Sequence, residues 1–110
     1  MSQETVKSDL LSLVALAHER AILEGTDYGI HVSQGANAYW LVRKTDEKIS
    51  GQWGQIRHLP TAMKFKGPDT SIAFYPDGTA SETVIVFESP DHPCLSINAF
   101  TGKGRWYETS

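Results

Sequence analysis

Cysteine is nearly missing from this chain: 110 residues contain one, Cys94. A lone thiol cannot close an internal disulfide, so a disulfide-stapled mini-domain is excluded, while the compartment stays open. No apolar run nears the ~18 residues that a membrane-spanning helix needs. The best run, Leu10 to Ala17, has eight residues and is interrupted by Ser12. No basic, apolar and small-residue leader opens the sequence. Basic residues are in the minority, 10 against 13 acidic, for a net charge of −3. That argues against a surface coated for nucleic acid and leaves room only for a local patch. Signatures of catalysis are missing as well. There is no G-x-S-x-G elbow, no P-loop and no G-x-G-x-x-G.

What is present is ordinary for a folded domain. Hydrophobic residues make up 40% and charged residues 21%, and the length suits one domain over 1–110. The first part, 1–25, reads as a helix and the rest, 26–110, as a β-domain. Val6, Leu10, Leu13, Val14, Ala17, Ala21 and Glu24 recur at i, i+3, i+4 and i+7, all but the last apolar, with Leu11, Leu16, Ile22 and Leu23 widening the stripe on its flanks, which makes an amphipathic helix over 3–24. Ser2 suits its N-cap, Glu4 the positive end of its dipole and Gly25 its C′ position. Such a stripe has to pack on something large, most simply a sheet.

After Gly25 the period drops to two. Tyr28, Ile30 and Val32 alternate with smaller or polar residues, then Gly35-Ala36-Asn37 turns into Tyr39–Val42, a hairpin pattern. Residues 44–62 read as a long charged loop with a short strand near Gln55–His58. Further strands are expected at Met63–Lys66, Ser71–Tyr75, Thr83–Phe87, Leu95–Phe100 and Arg105–Tyr107, giving six or seven antiparallel strands in all. Pro76-Asp77-Gly78 is a strong turn signal and predicts a hairpin joining Ser71–Tyr75 to Thr83–Phe87.

Charge is distributed in blocks. Residues 1–42 carry a net −3, residues 43–66 a net +4, residues 67–100 a net −5 with no basic group, and residues 101–110 a net +1. The basic block 43–66 reads first as a solvated loop. Its interleaved Trp40, Trp53 and Phe65 also offer stacking surfaces beside cations, and Trp53 between two glycines suits anchoring to a core. Asp91-His92-Pro93-Cys94 holds three metal-capable side chains, short of the paired ligands of a zinc site. It reads as a turn leading into a strand that buries Cys94 as a small hydrophobe. A Cys94–His dyad lacks a third group to orient the base. No cofactor is implied, and the chain does not read as an enzyme.

The ordered combination of an amphipathic helix ending E-R-A-I-L-E-G, the strand Y-W-L-V, then S-I-A-F-Y-P-D-G-T-A-S and C-L-S-I-N-A-F-T-G-K-G-R resembles the soluble domain of the GspH/FimT family of type IV pilin-like proteins. The resemblance implies an α+β fold, with an N-terminal amphipathic helix packed on two antiparallel β-sheets. It implies a non-enzymatic minor pilin or pseudopilin of a type IV pilus or type II secretion system, acting in filament assembly or tip initiation. Its partners would be other minor pilins or pseudopilins. It also implies an inner-membrane anchor and a periplasmic domain. The family's prepilin peptidase site and long apolar helix are not in this sequence, so residues 3–24 correspond to the lower half of that helix. Some FimT-like members linked to DNA uptake carry G-R-x-R near the C-terminus. Gly102-Lys103-Gly104-Arg105 matches with Lys for the first Arg, which makes Lys103 and Arg105 the candidate nucleic-acid contacts. Lys supplies a point charge rather than a bidentate fork, and with the net charge of −3 this weakens the DNA alternative.

Overall fold

The expected helix is the first element of the computed structural model, which describes residues 3–45, 48–52, 56–89 and 92–108. Helix α1 spans Gln3–Glu24 and buries Val6, Leu10, Leu13, Val14, Ala17 and Ala21, the six apolar positions that the spacing selects. Each Val or Leu so buried contributes roughly 1.5–3 kcal/mol. Gly25 ends the helix with φ +65°, the left-handed conformation of a C′ glycine. Ser2, the expected cap, lies outside the described residues.

The strands are β1 (Tyr28–Ser33), β2 (Ala38–Thr45), β3 (Lys48–Gln52), β4 (Arg57–His58), β5 (Lys64–Lys66), β6 (Thr70–Phe74), β7 (Thr83–Glu88), β8 (Pro93–Ile97) and β9 (Gly104–Glu108). The described residues thus hold nine strands rather than six or seven. The first sheet has the order β3-β2-β1-β6, with β4 also pairing β2, and the second has β5-β7-β8-β9. All pairings are antiparallel. The β1–β2 hairpin sets Ile30 opposite Leu41, and Asn37 takes a positive φ of 50° in its turn. Asn tolerates that conformation better than most residues.

Three strand assignments need correction. The charged stretch 44–62 is less of a loop than expected: β2 runs to Thr45 and β3 pairs with it, while the short strand expected near Gln55–His58 forms as β4 and also pairs with β2. Gln55 and Trp53 lie outside the described residues. Leu95–Phe100 is not strand throughout. It stops at Ile97 because Asn98 Oδ1 accepts the N–H groups of Phe100 (2.8 Å) and Thr101 (3.0 Å), a side-chain turn. Finally, Ser71–Tyr75 and Thr83–Phe87 do not form a hairpin, since β6 and β7 belong to different sheets. The Asp77-Gly78 turn itself forms, with Gly78 N–H donating to Tyr75 O at 3.0 Å and a single bridge between Phe74 and Ala80. Ala80 then donates its N–H to Ala99 O (2.8 Å), and the chain crosses to the second sheet, where Ile85 and Phe87 are buried.

The core lies between the helix and the two sheets. Aromatic rings join the layers: Tyr39 of β2 meets Phe65 of β5 edge-on at 6.3 Å, Phe65 meets Phe87 at 4.8 Å, and Phe87 meets Trp106 of β9 at 5.4 Å. The Trp106 indole N–H donates to Lys7 O of α1 at 3.1 Å, so a ring that is mostly apolar still satisfies its one donor.

Candidate interaction surface

The charge blocks turn out to be partners. Arg43 Nε lies 3.0 Å from Glu24 Oε1, Lys44 Nζ 3.6 Å from Asp27, and Arg57 Nε 2.9 Å from Asp9 Oδ2. The described cations of β2 and β4 therefore answer the acids in and just after the helix, and the solvated-loop reading of 43–66 is corrected for them. Tyrosines complete two latches between α1 and the first sheet. Tyr28 Oη donates to both Glu24 carboxylate oxygens at 2.8 Å, and Tyr39 Oη donates to Asp9 Oδ2 at 2.5 Å. Burial, and then the Asp9 bond, push the Tyr39 hydroxyl well above the ordinary phenol range.

The Glu24 latch makes acid stability testable. The Tyr28 bond holds the Glu24 carboxyl below its ordinary value; partial burial opposes this, while Arg20 and Arg43 reinforce it. A carboxylate depressed in the folded state contributes stability that is complete above its unfolded pKa and is lost as pH falls through the folded one. Urea melts of the wild type and Glu24→Gln at pH 7 and pH 3 are expected to show a smaller loss for the variant. An identical acid loss would show that the latch contributes nothing.

The predicted pair Lys103 and Arg105 is brought together by the structure. Both line one shallow recess of about 300 Å³, with Glu82, Ser96, Asn98 and Phe100. Arg105 stands opposite Ser96 in the β8–β9 ladder, while Lys103 sits in the turn just before β9. Glu82 puts a negative charge into the same recess. Two residues were missed from sequence. Phe100, expected on a strand face, is 87% exposed at the turn. His18, which the sequence did not single out, is a wedge. Its Nε2 donates to Gly78 O at 3.1 Å, and its ring lies so close to Gly102 (φ +68°) that a Cβ there would come within 2.3 Å of it. Cys94 is buried as expected, and Asp91 lies outside the described residues. Among the described residues no group of three or more His, Cys, Asp or Glu is placed to hold a metal ion, and no helix is long and apolar enough to cross a membrane.

The fold has relatives of known structure. Two structures of the minor pseudopilin EpsH from the type II secretion system of Vibrio cholerae superpose on the chain. One has a TM-score of 0.72 at 15% identity, covering 96% of this chain and 95% of that one. The other has a TM-score of 0.72 at 14% identity, covering 94% and 91%. At such identities the likeness shows the fold, a helix on antiparallel sheets. No curated protein matches the sequence. The family model described as type II transport protein GspH, however, matches residues 8–102, from the second turn of α1 to the His18-wedged turn, and the chain belongs to that family.

Proposed function

We propose that the chain is a non-enzymatic minor pseudopilin that packs with other pseudopilins of a type II secretion system. In this reading it lies on the periplasmic side of the inner membrane and acts in assembly or initiation of the filament. The observation that carries the reading is the two-sidedness of α1. One face is sealed against the sheets, while Thr5, Ser8, Leu11, Ser12 and Ala15 stay exposed on the other. Between Glu4 and Glu19, which are exposed on the same face, these small and apolar residues let a second helix approach closely. Support also comes from the family match and from the two polar latches, which fix the helix relative to the first sheet. Deleting the gene is expected to stop export of folded substrates by the secretion system, and the wild-type gene to restore it. Undiminished export after deletion would sink the proposal.

A second reading, DNA contact, is favoured by one observation: Lys103, Arg105 and the exposed Phe100 share a recess. Two phosphate contacts predict a salt slope of about −2 on duplex DNA and weak binding. Lys103→Ala/Arg105→Ala is expected to remove whatever binding a labelled duplex shows at low salt. Equal binding by the double variant would discard the recess as the contact.

A further inference from the structure

The last strand leaves one edge of the second sheet open. Asn98 N–H donates to Lys103 O at 3.0 Å, and the same register sets Ser96 opposite Arg105 and Cys94 opposite Tyr107. Bonded pairs alternate along an antiparallel ladder, so Arg105 and Tyr107 turn their backbone groups toward β8. Gly104, Trp106 and Glu108 turn theirs the other way, where no strand pairs among the described residues.

The edges at β5 and β6 carry protection of the kind that prevents unwanted pairing. β5 is three residues long and sets exposed Lys64 and Lys66 on either side of Phe65. The free side of β6 is occupied by Ser81, whose Oγ accepts Ala73 N–H at 2.9 Å and whose N–H donates to Ala73 O at 2.8 Å. Among the described residues β9 has no such cover.

Beside this edge runs the helix. Gly102 abuts His18, Gly104 lies under Leu11, and Trp106 bonds to Lys7, so β9 runs back along α1. Leu11 is 37% exposed there. The other face of the edge presents Arg105, with Lys103 just before it.

We infer that the free edge of β9 accepts an extended segment of a different, neighbouring pseudopilin by β-strand addition. The added segment has an apolar residue packed on Leu11 and carboxylates facing Lys103 and Arg105. Main-chain bonds supply the attachment, and the alternating side chains supply the choice of partner. Charge argues against a second copy entering through β5. A second copy offering β5 would set Lys64 and Lys66 against Lys103 and Arg105, like against like. The inference rests on the pseudopilin reading above.

Amide hydrogen exchange of the labelled chain tests it. In the free protein the Gly104 and Trp106 amides are expected to exchange at least about tenfold faster than those of Arg105 and Tyr107. The other pseudopilins of the same secretion system, each as its purified periplasmic domain, are then added one at a time. One of them is expected to slow Gly104, Trp106 and Glu108 about tenfold. Glu108→Pro removes an edge donor and blocks the added strand. It costs no ladder bond, because Glu108 stands opposite Pro93 at a non-bonded position. This variant is expected to abolish the slowing while its melting temperature holds.

Binding that leaves the edge amides fast, and protects only the exposed face of α1, overturns the inference and keeps the pseudopilin reading. Binding by none of them overturns both. Slowing of the same amides by raising the concentration of the chain itself overturns the assignment of the occupant. A short DNA duplex that shifts Lys103 and Arg105 and displaces the bound pseudopilin without slowing the edge amides would assign the charges to nucleic acid and overturn the proposed pairing of carboxylates.

Discussion

Leu13→Asp is expected to cost about 4 kcal/mol or more and to lower the melting temperature by roughly 15 °C or more. Leu13 is 3% exposed on the sealed face of α1 and packs in the buried apolar cluster, so a carboxylate there is taken out of water. The chain's whole stability is of order 5–15 kcal/mol, so such a loss takes much of it. Leu23, also in the helix, is 74% exposed. Leu23→Asp is expected to cost only about 1 kcal/mol, from lower helix propensity and a negative charge in the last turn four residues after Glu19. Thermal or urea melts of the pair separate the two faces of one helix, and equal effects would refute the face assignment.

Gly102→Ala is expected to be nearly as damaging, for a different reason. A side chain at φ +68° costs about 1–2 kcal/mol on conformational grounds. The new Cβ would also fall 2.3 Å from His18 Cδ2, and that ring is held by its bond to Gly78 O. The sum is about 2–4 kcal/mol. Gly25 has a similar φ with nothing within 4 Å of a built Cβ, so Gly25→Ala is expected to show the conformational part alone, about 1–2 kcal/mol. In a His18→Ala background Gly102→Ala should fall to that smaller figure, a coupling of roughly 1–2 kcal/mol in a double-mutant cycle. Additivity within about 0.3 kcal/mol would mean that the ring simply moves aside.

These two sites also mark what could be read from the chain and what could not. The face of α1 was legible because period and burial are local properties: six apolar residues at helical spacing are the six that the helix buries. The β1–β2 hairpin was legible for the same reason, since the pattern changes period on either side of a turn. The wedge of His18 was not, because its partners Gly78 and Gly102 lie far along the chain. Nor were the pairs Arg43–Glu24, Lys44–Asp27 and Arg57–Asp9. The block charges hinted at complementarity, but composition does not say which acid faces which base.

The crossing between sheets failed for a related reason. A turn at Asp77-Gly78 is locally specified, with Asp77 Oδ1 accepting Thr79 N–H at 2.9 Å and Thr79 Oγ1–H at 2.6 Å. The path of the chain beyond that turn is decided by long-range competition. Ser81 takes both backbone groups of Ala73, Ala80 donates to Ala99, and Ile85 and Phe87 join the core from the second sheet. The strand β3 escaped notice because charge and glycine mask alternation in that stretch, whereas β4 (Arg57–His58) is the short strand expected near Gln55–His58. Lys103 and Arg105 were found through family resemblance and share a recess, yet Glu82 and Phe100 complete it, and neither carried a signal for that place.

The central claim is that α1 keeps one face for its own sheets and leaves the other for a neighbouring pseudopilin. The most direct measurement is cross-linking in cells that make the complete secretion system. With the buried Cys94 changed by Cys94→Ala, a single cysteine is placed by Ser12→Cys on the exposed face of α1, or by Ala17→Cys on the sealed face, and is alkylated with a maleimide photo-cross-linker that inserts into a neighbouring C–H bond on illumination. The account predicts a covalent product between the Ser12→Cys chain and another pseudopilin, and none from Ala17→Cys. A Ser12→Cys chain that remains uncross-linked while export proceeds normally would contradict it.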